Sequence, residues 1–246
     1  MLNFCVSLTS IPPRFGNIKK TINSINIQTK KPDKIYLNIP HNYERYPNQN
    51  FDITELIKTC PNLQIIRCED CGPGTKLLGA INEFNKYDYV VLIDDDHIYN
   101  KEMLSFFHEK GLENLDKAYS FCVYNVEDCK VGQGADGFMI NTFFLKNIYQ
   151  FFAKFIKNNR KLFFNDDLWI SIFLNKILKK DIENLSFLLK QSFFKKEKSI
   201  YKKHTKIDAL IELYSANRKE ARNLRFKENC EEYLLLKQKT KNFTKL

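Results

Sequence analysis

Three consecutive aspartates, Asp94, Asp95 and Asp96, directly follow the continuous apolar run 89–93. A run of this kind is typical of a strand that is buried on both faces of a parallel sheet. Adjacent carboxylates at such a strand end repel one another and lose hydration, so fold stability alone does not favour them there. Open α/β sheets bind ligands at the carboxyl ends of their strands. The triplet therefore indicates a ligand site, with an acidic loop that caps the next helix near Asp96 as the alternative.

The side chains of this triplet alternate in direction if the backbone is extended. Asp94 and Asp96 then point to one side and Asp95 points to the other. Two carboxylates on one side can share a hard divalent cation, which prefers oxygen ligands and keeps open positions for phosphate oxygens.

A glycine turn, Gly72-Pro73-Gly74, leads into a helix predicted over 75–84, with Lys76 in its first turn. The free N–H groups and the positive dipole end of a helix start form an anion site. A lysine is unfavourable at that end of a helix, which indicates an anionic ligand nearby. The turn does not match the Gly-x-x-x-x-Gly-Lys-Ser/Thr phosphate loop, and a simple connector is the alternative.

Two further groups carry carboxylates. The loop 133–137 places one acid, Asp136, directly before a predicted strand, Phe138–Asn141. Further along, Asn165, Asp166 and Asp167 open a predicted helix. An N-cap asparagine with acids in the first turn is also a good helix start on structural grounds alone, so this group has two interpretations.

Strands and helices alternate along the first two thirds of the chain. The predicted strands are 2–8, 34–39, 63–67, 89–93, 118–123 and 138–141, and the predicted helices are 17–28, 75–84 and a segment containing Phe144, Ile148, Phe151, Phe152 and Phe155. This alternation predicts an α/β fold with a mostly parallel, Rossmann-like sheet and flanking helices.

The C-terminal third is basic and lacks residues that break helices. All seven prolines lie at or before Pro73 and no glycine follows Gly137, so helices are expected there. Residues 146–246 contain 24 Lys and Arg against 11 Asp and Glu, whereas residues 1–145 contain 15 against 18. Such a segment could bind nucleic acid, anionic lipid or a phosphorylated ligand, or it could simply solvate helix surfaces.

The overall composition is that of a globular protein. It is 43% hydrophobic and 28% charged, which excludes a disordered chain, and there is no apolar run long enough to span a membrane. The start of the chain lacks the pattern of a signal peptide, so a cytoplasmic location is expected. The seven cysteines are expected to be free thiols, because their number is odd and no export signal is recognised. A zinc site at Cys68 and Cys71 is not expected, because a second pair with suitable spacing is missing.

Five motifs occur in an order that resembles nucleotide-sugar glycosyltransferases of the GT-A fold, especially a bacterial and large-virus branch. They are Ser-Leu-Thr-Ser-Ile-Pro-Pro-Arg-Phe at 7–15, Glu-Asp-x-Gly-Pro-x-Thr-Lys-Leu-Leu-Gly at 69–79, Asp-Asp-Asp-x-x-Tyr at 94–99, Gln-Gly-x-x-Gly within 132–137 and Asp-Asp-x-Trp-Ile-Ser at 166–171. The resemblance covers residues 2–180. It implies a nucleotide-sugar-binding catalytic domain at 1–180 and a basic helical C-terminal extension at 181–246. Cys71 departs from the family pattern, which has an aromatic residue there.

The resemblance implies a donor and metal site. It assigns the nucleotide base or diphosphate to Thr9, Ser10 and Arg14, the ribose and diphosphate to Lys76, Asp94 and Asp95, and a Mn²⁺ or Mg²⁺ ion to Asp96 with Asp94. Because the resemblance does not reach the C-terminal third, His204 as a further metal or phosphate contact is an expectation based on its residue type.

The resemblance also implies an acceptor site. Asp166 or Asp167 would lie at the acceptor hydroxyl. Asp167 would be the general base if the reaction inverts the anomeric centre; if the reaction retains it, that carboxylate would orient the acceptor or stabilise the oxocarbenium-like state. Gln133, Gly134 and Asp136 would line the acceptor side. The expected partners are a nucleoside-diphosphate sugar and a glycan or lipid-linked acceptor, in synthesis of a surface glycan.

Three other interpretations stay open from the residues alone. A nucleotidyltransferase or another phosphate-handling enzyme could use the same aspartates and basic groups. A nucleic-acid-binding module that uses the basic C-terminal third is a second alternative, although a nucleic-acid partner is not expected, because no recognised module is present and the acidic half would repel phosphate. Peripheral contact with an anionic membrane is indicated by apolar residues interleaved with lysines in the segment 187–206.

Overall fold

The computed structural model describes residues 2–47, 60–190, 200–207, 213, 217–241 and 243. Its strands are β1 (Phe4–Thr9), β2 (Lys34–Pro40), β3 (Leu63–Cys68), β4 (Tyr89–Leu92), β5 (His97–Tyr99), β6 (Ala118–Ser120), β7 (Val123–Val126), β8 (Cys129–Gly132), β9 (Phe138–Asn141), β10 (Ile182–Asn184) and β11 (Tyr201–Lys203). The α-helices are α1 (Ile18–Asn26), α2 (Thr75–Leu78), α3 (Met103–Glu113), α4 (Ile148–Phe151), α5 (Arg160–Phe163), α6 (Asp166–Ile172) and α7 (Arg218–Lys239).

Within the described residues, seven strands form the central sheet in the order β10-β6-β9-β4-β1-β2-β3. Strand β9 is antiparallel to both of its neighbours, and the other pairs in this sheet are parallel. Two small antiparallel sheets, β7-β8 and β5-β11, lie beside it. The predicted α/β class with a mostly parallel sheet and flanking helices is confirmed.

The sheet is covered on both faces because its strands carry apolar side chains in both directions. Alternate residues of β1, Phe4 and Val6, pack in a core with Ile22 of α1, while Cys5 packs in the opposite core. Ile22 is completely buried, and burial of such a side chain contributes about 1.5–3 kcal/mol. The spacing of apolar residues that predicted the first helix therefore places Ile18, Ile22 and Ile25 in the same core.

The predicted helix over 75–84 is wrong as a single element. Helix α2 ends at Leu78 and a separate 3-10 helix covers Ile81–Lys86. Gly79 lies so close to β2 that a Cβ atom there would be 2.7 Å from the Cβ of Asn38. The α-helix ends next to this contact with a distant segment, which periodicity cannot reveal. The predicted strand 118–123 is likewise divided between β6 and β7.

The C-terminal third is helical only in part. The 22-residue helix α7 confirms the predicted C-terminal helix, but β10 and β11 are strands. Strand β10 pairs with β6 at the edge of the central sheet, just beyond the predicted domain boundary at residue 180. The expectation of helix throughout this segment is therefore wrong, because paired edge strands need neither glycine nor proline.

The segment that indicated membrane contact is partly packed into the protein. Leu188 and Ile200 are buried in the core, whereas Phe187 is exposed. Phe193, Phe194 and the lysines at 195, 196 and 198 lie outside the described residues. A search of the described helices finds none with the length and apolar character to cross a membrane. All seven cysteines are free, as expected.

Replacement of Gly137 by alanine is expected to destabilise the fold. Gly137 has a φ of 83°, and a Cβ atom there would lie 2.8 Å from the Phe107 ring. Strained backbone of this kind costs about 1–3 kcal/mol, and each kcal/mol lowers the melting temperature by about 2–4 °C in a protein of this size. Thermal unfolding measures the shift. Gly16→Ala is the matched control, because nothing lies within 4 Å of its Cβ position, and an equal shift in both variants would contradict the prediction.

Candidate active site

The aspartate triplet lies where the central sheet meets its connecting loops. Strand β4 ends at Leu92, and Asp94, Asp95 and Asp96 form the connection to β5. Strand β1 runs parallel to β4 beside it, so the loop after β1 reaches the same edge. This geometry brings the first and third sequence motifs together.

Asp95 binds the loop that follows β1. Its carboxylate accepts hydrogen bonds from the hydroxyl of Ser10 and from Nη1 of Arg14, the latter at 2.7 Å. Burial, with a smaller contribution from the charge of Asp96, raises the pKa of Asp95 against the opposing effects of Arg14 and Ser10. The triplet and the loop are thus held as one unit, and the Arg14 guanidinium faces two acids, since Nη2 lies 3.3 Å from Asp96.

Lys76 connects the triplet to the acids at the start of α6. Its side chain is almost completely buried, and its ammonium group contacts Asp94 and lies 3.0 Å from Oδ2 of Asp166. Burial would lower the pKa of Lys76, but the surrounding acids, Asp166 first, raise it above its ordinary value. Lys76 therefore stays charged inside the protein, and the second and fifth motifs meet at its ammonium group.

Asp167 has the properties of a general base. Its Oδ1 accepts a hydrogen bond of 2.9 Å from the backbone N–H of Gly134. Burial, reinforced by the charge of Asp166, raises the pKa of Asp167 to about 7. A carboxylate with a pKa near neutrality can hold a proton at the moment of transfer and release it afterwards.

Asp96 is surrounded by basic side chains. Its carboxylate lies 2.6 Å from Nδ1 of His97 and 2.9 Å from Nζ of Lys203 on β11. Burial would raise the pKa of Asp96, but the hydrogen bond from His97 and the charge of Arg14 lower it. The carboxylate is therefore ionised at neutral pH.

Three of these side chains form a candidate metal centre. The ligand atoms of Asp94, Asp96 and His97 all lie within 4.8 Å of one another. The side chain of His204, which the sequence suggested as a ligand, lies instead against helix α1, with its Nε2 2.9 Å from the hydroxyl of Thr21. His204 reaches the triplet through its backbone, because its N–H donates to the carbonyl of Asp96 at 3.0 Å.

A cavity of about 230 Å³ opens beside these groups. The predicted site residues that line it are Thr9, Ser10, Arg14, Lys76, Asp94, Asp95, Asp166 and Asp167. Asp96 is not among the lining residues. Of the predicted acceptor-side residues, Gly134 contacts Asp167, and burial raises the pKa of Asp136 to about 6. The backbone carbonyl of Gln133 accepts a hydrogen bond of 3.2 Å from the hydroxyl of Ser120, which joins this loop to β6.

Several residues of the cavity were not predicted from the sequence. They are Tyr43, Arg45, Tyr46, Asp70, Phe164 and Arg225. Tyr43–Tyr46 follow β2 in a segment without a motif, and Arg225 belongs to the extension outside the resemblance. His97 directly follows the triplet, and its residue type could have suggested it as a ligand.

Asn165 differs from its predicted role. Helix α6 begins at Asp166 as predicted, but the Asn165 side chain makes no capping hydrogen bond. Its amide instead contacts Asn229 and Arg225 of α7. Helix α7 is therefore attached at the residue that precedes the two acids of the site.

Comparison with known proteins supports the fold. No protein-family model matches the sequence, and no curated protein matches it. Among solved structures, the mannosyltransferase PcManGT from Pyrobaculum calidifontis in complex with GDP-Man and Mn²⁺ is 15% identical, with a TM-score of 0.53 over 75% of this chain and 55% of that chain. S. aureus TarS 1-349 in complex with UDP is 16% identical, with a TM-score of 0.53 over 95% of this chain and 71% of that chain. A further structure of S. aureus TarS 1-349 gives a TM-score of 0.54.

These similarities define the class of fold. The chain shares the fold of these solved structures, in agreement with the GT-A-like fold that the motif order predicted. It spans just over half of the length of the mannosyltransferase. The bacterial and large-virus branch and the boundary at residue 180 stay predictions.

Proposed function

We propose that this protein is a metal-dependent glycosyltransferase that moves a sugar from a nucleoside diphosphate to a hydroxyl acceptor. The observation that carries the proposal is the position of Lys76, whose buried ammonium contacts both Asp94 of the triplet and Asp166 beside the candidate base. Donor and acceptor chemistry would therefore meet in one cavity. The fold of the similar structures, which were solved with GDP-Man and Mn²⁺ or with UDP, supports this assignment.

The proposed metal centre fits a divalent cation. Asp94 and Asp96 offer carboxylate oxygens and His97 offers an imidazole nitrogen, a donor set that suits Mn²⁺. A cation bound there would neutralise the charge that develops on the leaving diphosphate.

The chain's own residues supply the remaining functions. Lys76 directs a fixed positive charge at the cavity, where it stabilises negative charge on the leaving group. Arg14 fixes the triplet by its bond to Asp95. Asp167 accepts the proton of the acceptor hydroxyl, and the backbone N–H of Gly134 orients the carboxylate for that transfer.

Product analysis tests the proposed reaction against its closest alternative. The full chain would be incubated with Mn²⁺ and separate nucleotide sugars, including GDP-mannose and UDP-N-acetylglucosamine. Release of GDP or UDP is the expected result. Release of pyrophosphate from a parallel incubation with a nucleoside triphosphate and a sugar 1-phosphate, without release of GDP or UDP from the nucleotide sugars, would instead indicate a nucleotidyltransferase and would contradict the proposal.

The activity is expected to depend on the ionisation of Asp167. A general base must be deprotonated, and the pKa of Asp167 is raised to about 7. The value of kcat/KM should therefore increase about tenfold for each pH unit below 7 and become constant above it. Steady-state rates from pH 5.5 to 8.5 measure this profile. UDP binding over the same range is the control, and a rate without a pH-dependent limb below 7 would contradict the assignment.

The basic C-terminal third bears on the acceptor and on the location of the protein. We propose a glycan or lipid-linked acceptor at the cytoplasmic membrane face, supported by the basic character of residues 146–246. Cosedimentation of the full chain with anionic vesicles at low salt is expected, and its absence would contradict membrane contact.

A further inference from the structure

An arginine lies in the middle of the face by which α7 packs against the protein. Ala221, Arg225, Asn229 and Tyr233 follow one another at intervals of four and share one side of the helix. Ala221 and Tyr233 are completely buried and Asn229 is nearly so. Arg225, between them, lines the cavity. An apolar residue would pack at this position without the desolvation that a charge incurs.

Two buried amides hold the Arg225 guanidinium in place. Its Nη2 donates a hydrogen bond of 2.9 Å to Oδ1 of Asn165, and Nδ2 of Asn165 donates to Oδ1 of Asn229. Both hydrogen bonds use the side chain of Asn165, which as a helix N-cap would normally accept hydrogen bonds from its own helix. Such fixation reduces the entropy that a flexible arginine would lose on binding a ligand.

The charge of Arg225 is not compensated by an ion pair within the described residues. The other fixed cations of the cavity, Arg14 and Lys76, each contact a carboxylate, whereas the hydrogen-bond partner of Arg225 is a neutral amide. Guanidinium groups bind phosphate in a bidentate geometry, and such bonds are stronger than neutral hydrogen bonds. The arrangement therefore favours an anionic ligand.

The position of Arg225 indicates the acceptor side of the cavity. Its partner Asn165 directly precedes Asp166 and the candidate base Asp167. Of the groups assigned to the donor, Ser10 and Arg14 contact Asp95 after β4 instead, and Lys76 lies between Asp94 and Asp166.

We propose that Arg225 binds a phosphate group of the acceptor, so that the accepting hydroxyl belongs to a phosphorylated molecule. This assignment rests on the proposed glycosyltransferase function. Arg225 is then a specificity-determining residue that the C-terminal helix contributes to the site. The phosphate could belong to a lipid headgroup or to a soluble sugar phosphate, and both share this chemistry.

Calorimetric titration with inorganic phosphate tests the proposal, using the full chain saturated with UDP and Mn²⁺. Arg225→Gln removes the charge and keeps a hydrogen-bonding group for Asn165, and Arg225→Lys restores a charge. We expect at least a tenfold weaker phosphate affinity for Arg225→Gln and partial recovery for Arg225→Lys. Arg222→Met, at an exposed position of the same helix, should bind phosphate as the unmodified chain does. Circular dichroism and thermal unfolding verify that each variant is folded.

Several outcomes would overturn the assignment. Equal phosphate affinity in the unmodified chain and Arg225→Gln, or no saturable phosphate binding, would exclude Arg225 as the phosphate contact. A loss of UDP affinity in Arg225→Gln would assign the residue to the donor instead. Failure of the unmodified chain to bind either UDP or GDP would contradict the proposed function. Phosphate titration without nucleotide would then still measure the anion site. Parallel titrations with glycerol 3-phosphate and with vesicles containing phosphatidic acid distinguish the soluble source from the lipid source.

Discussion

Asp167→Asn is expected to lower the rate of sugar transfer by about 10²–10⁴-fold, the range that general-base catalysis contributes. The asparagine amide can still accept the hydrogen bond from Gly134, which measures 2.9 Å to Asp167, so the local geometry is kept. It cannot accept a proton from the acceptor. Steady-state transfer rates with a saturating donor measure the effect, and UDP affinity should be unchanged.

The stability of the same variant separates a catalytic role from a structural one. The pKa of Asp167 is raised to about 7 in the folded chain, against about 3.9 when unfolded. Between these values the unfolded state releases its proton while the folded state keeps it, so stability falls as pH increases, and the loss is complete above pH 7. Asp167→Asn removes this penalty, and its melting temperature at pH 8 should equal or exceed that of the unmodified chain.

The matched control is Asp116→Asn, which removes an exposed carboxylate that contacts Lys180. It should change neither the rate nor the pH profile. A nearly normal rate for Asp167→Asn would exclude Asp167 as the base, and Asp166 would be the next residue to test.

The strands and the order of the site motifs could be predicted from the sequence because their causes are local. The apolar run of β4 and the alternation in β1 follow from burial on a parallel sheet, and the aspartates follow β4 directly in the chain. Parallel strands align their carboxyl ends, so residues distant in sequence could be assigned to one edge.

The features that could not be predicted depend on contacts between distant segments. The interruption after α2 depends on the close approach of Gly79 to Asn38. The side chain of Asn165 forms hydrogen bonds with Arg225 and Asn229 of α7 and does not cap its own helix. Local propensity contains no information about either contact, and it therefore favoured a continuous helix and an ordinary cap.

Asp96→Asn is expected to abolish most of the metal response of the protein. The substitution removes one of the two carboxylates in the candidate centre and leaves Asp94 and His97. We expect the increase in melting temperature caused by Mn²⁺ plus UDP to disappear, because a ligand stabilises the folded state only when it binds. The transfer rate should fall by about 10²–10³-fold, since electrostatic stabilisation of the leaving group is weakened.

The design of this test must take account of the contacts that Asp96 makes without a metal. Its carboxylate lies 2.9 Å from Nζ of Lys203 and 3.3 Å from Nη2 of Arg14, so the variant can also change baseline stability. The measured quantity is therefore the difference in melting temperature with Mn²⁺ and with a chelator, taken within each variant. Asp181→Asn, which removes the exposed contact to Lys130, should keep the full difference. An unchanged difference in melting temperature in Asp96→Asn would place the ion elsewhere. Because Lys203 and the metal would use the same carboxylate, Lys203→Met should increase the Mn²⁺ affinity.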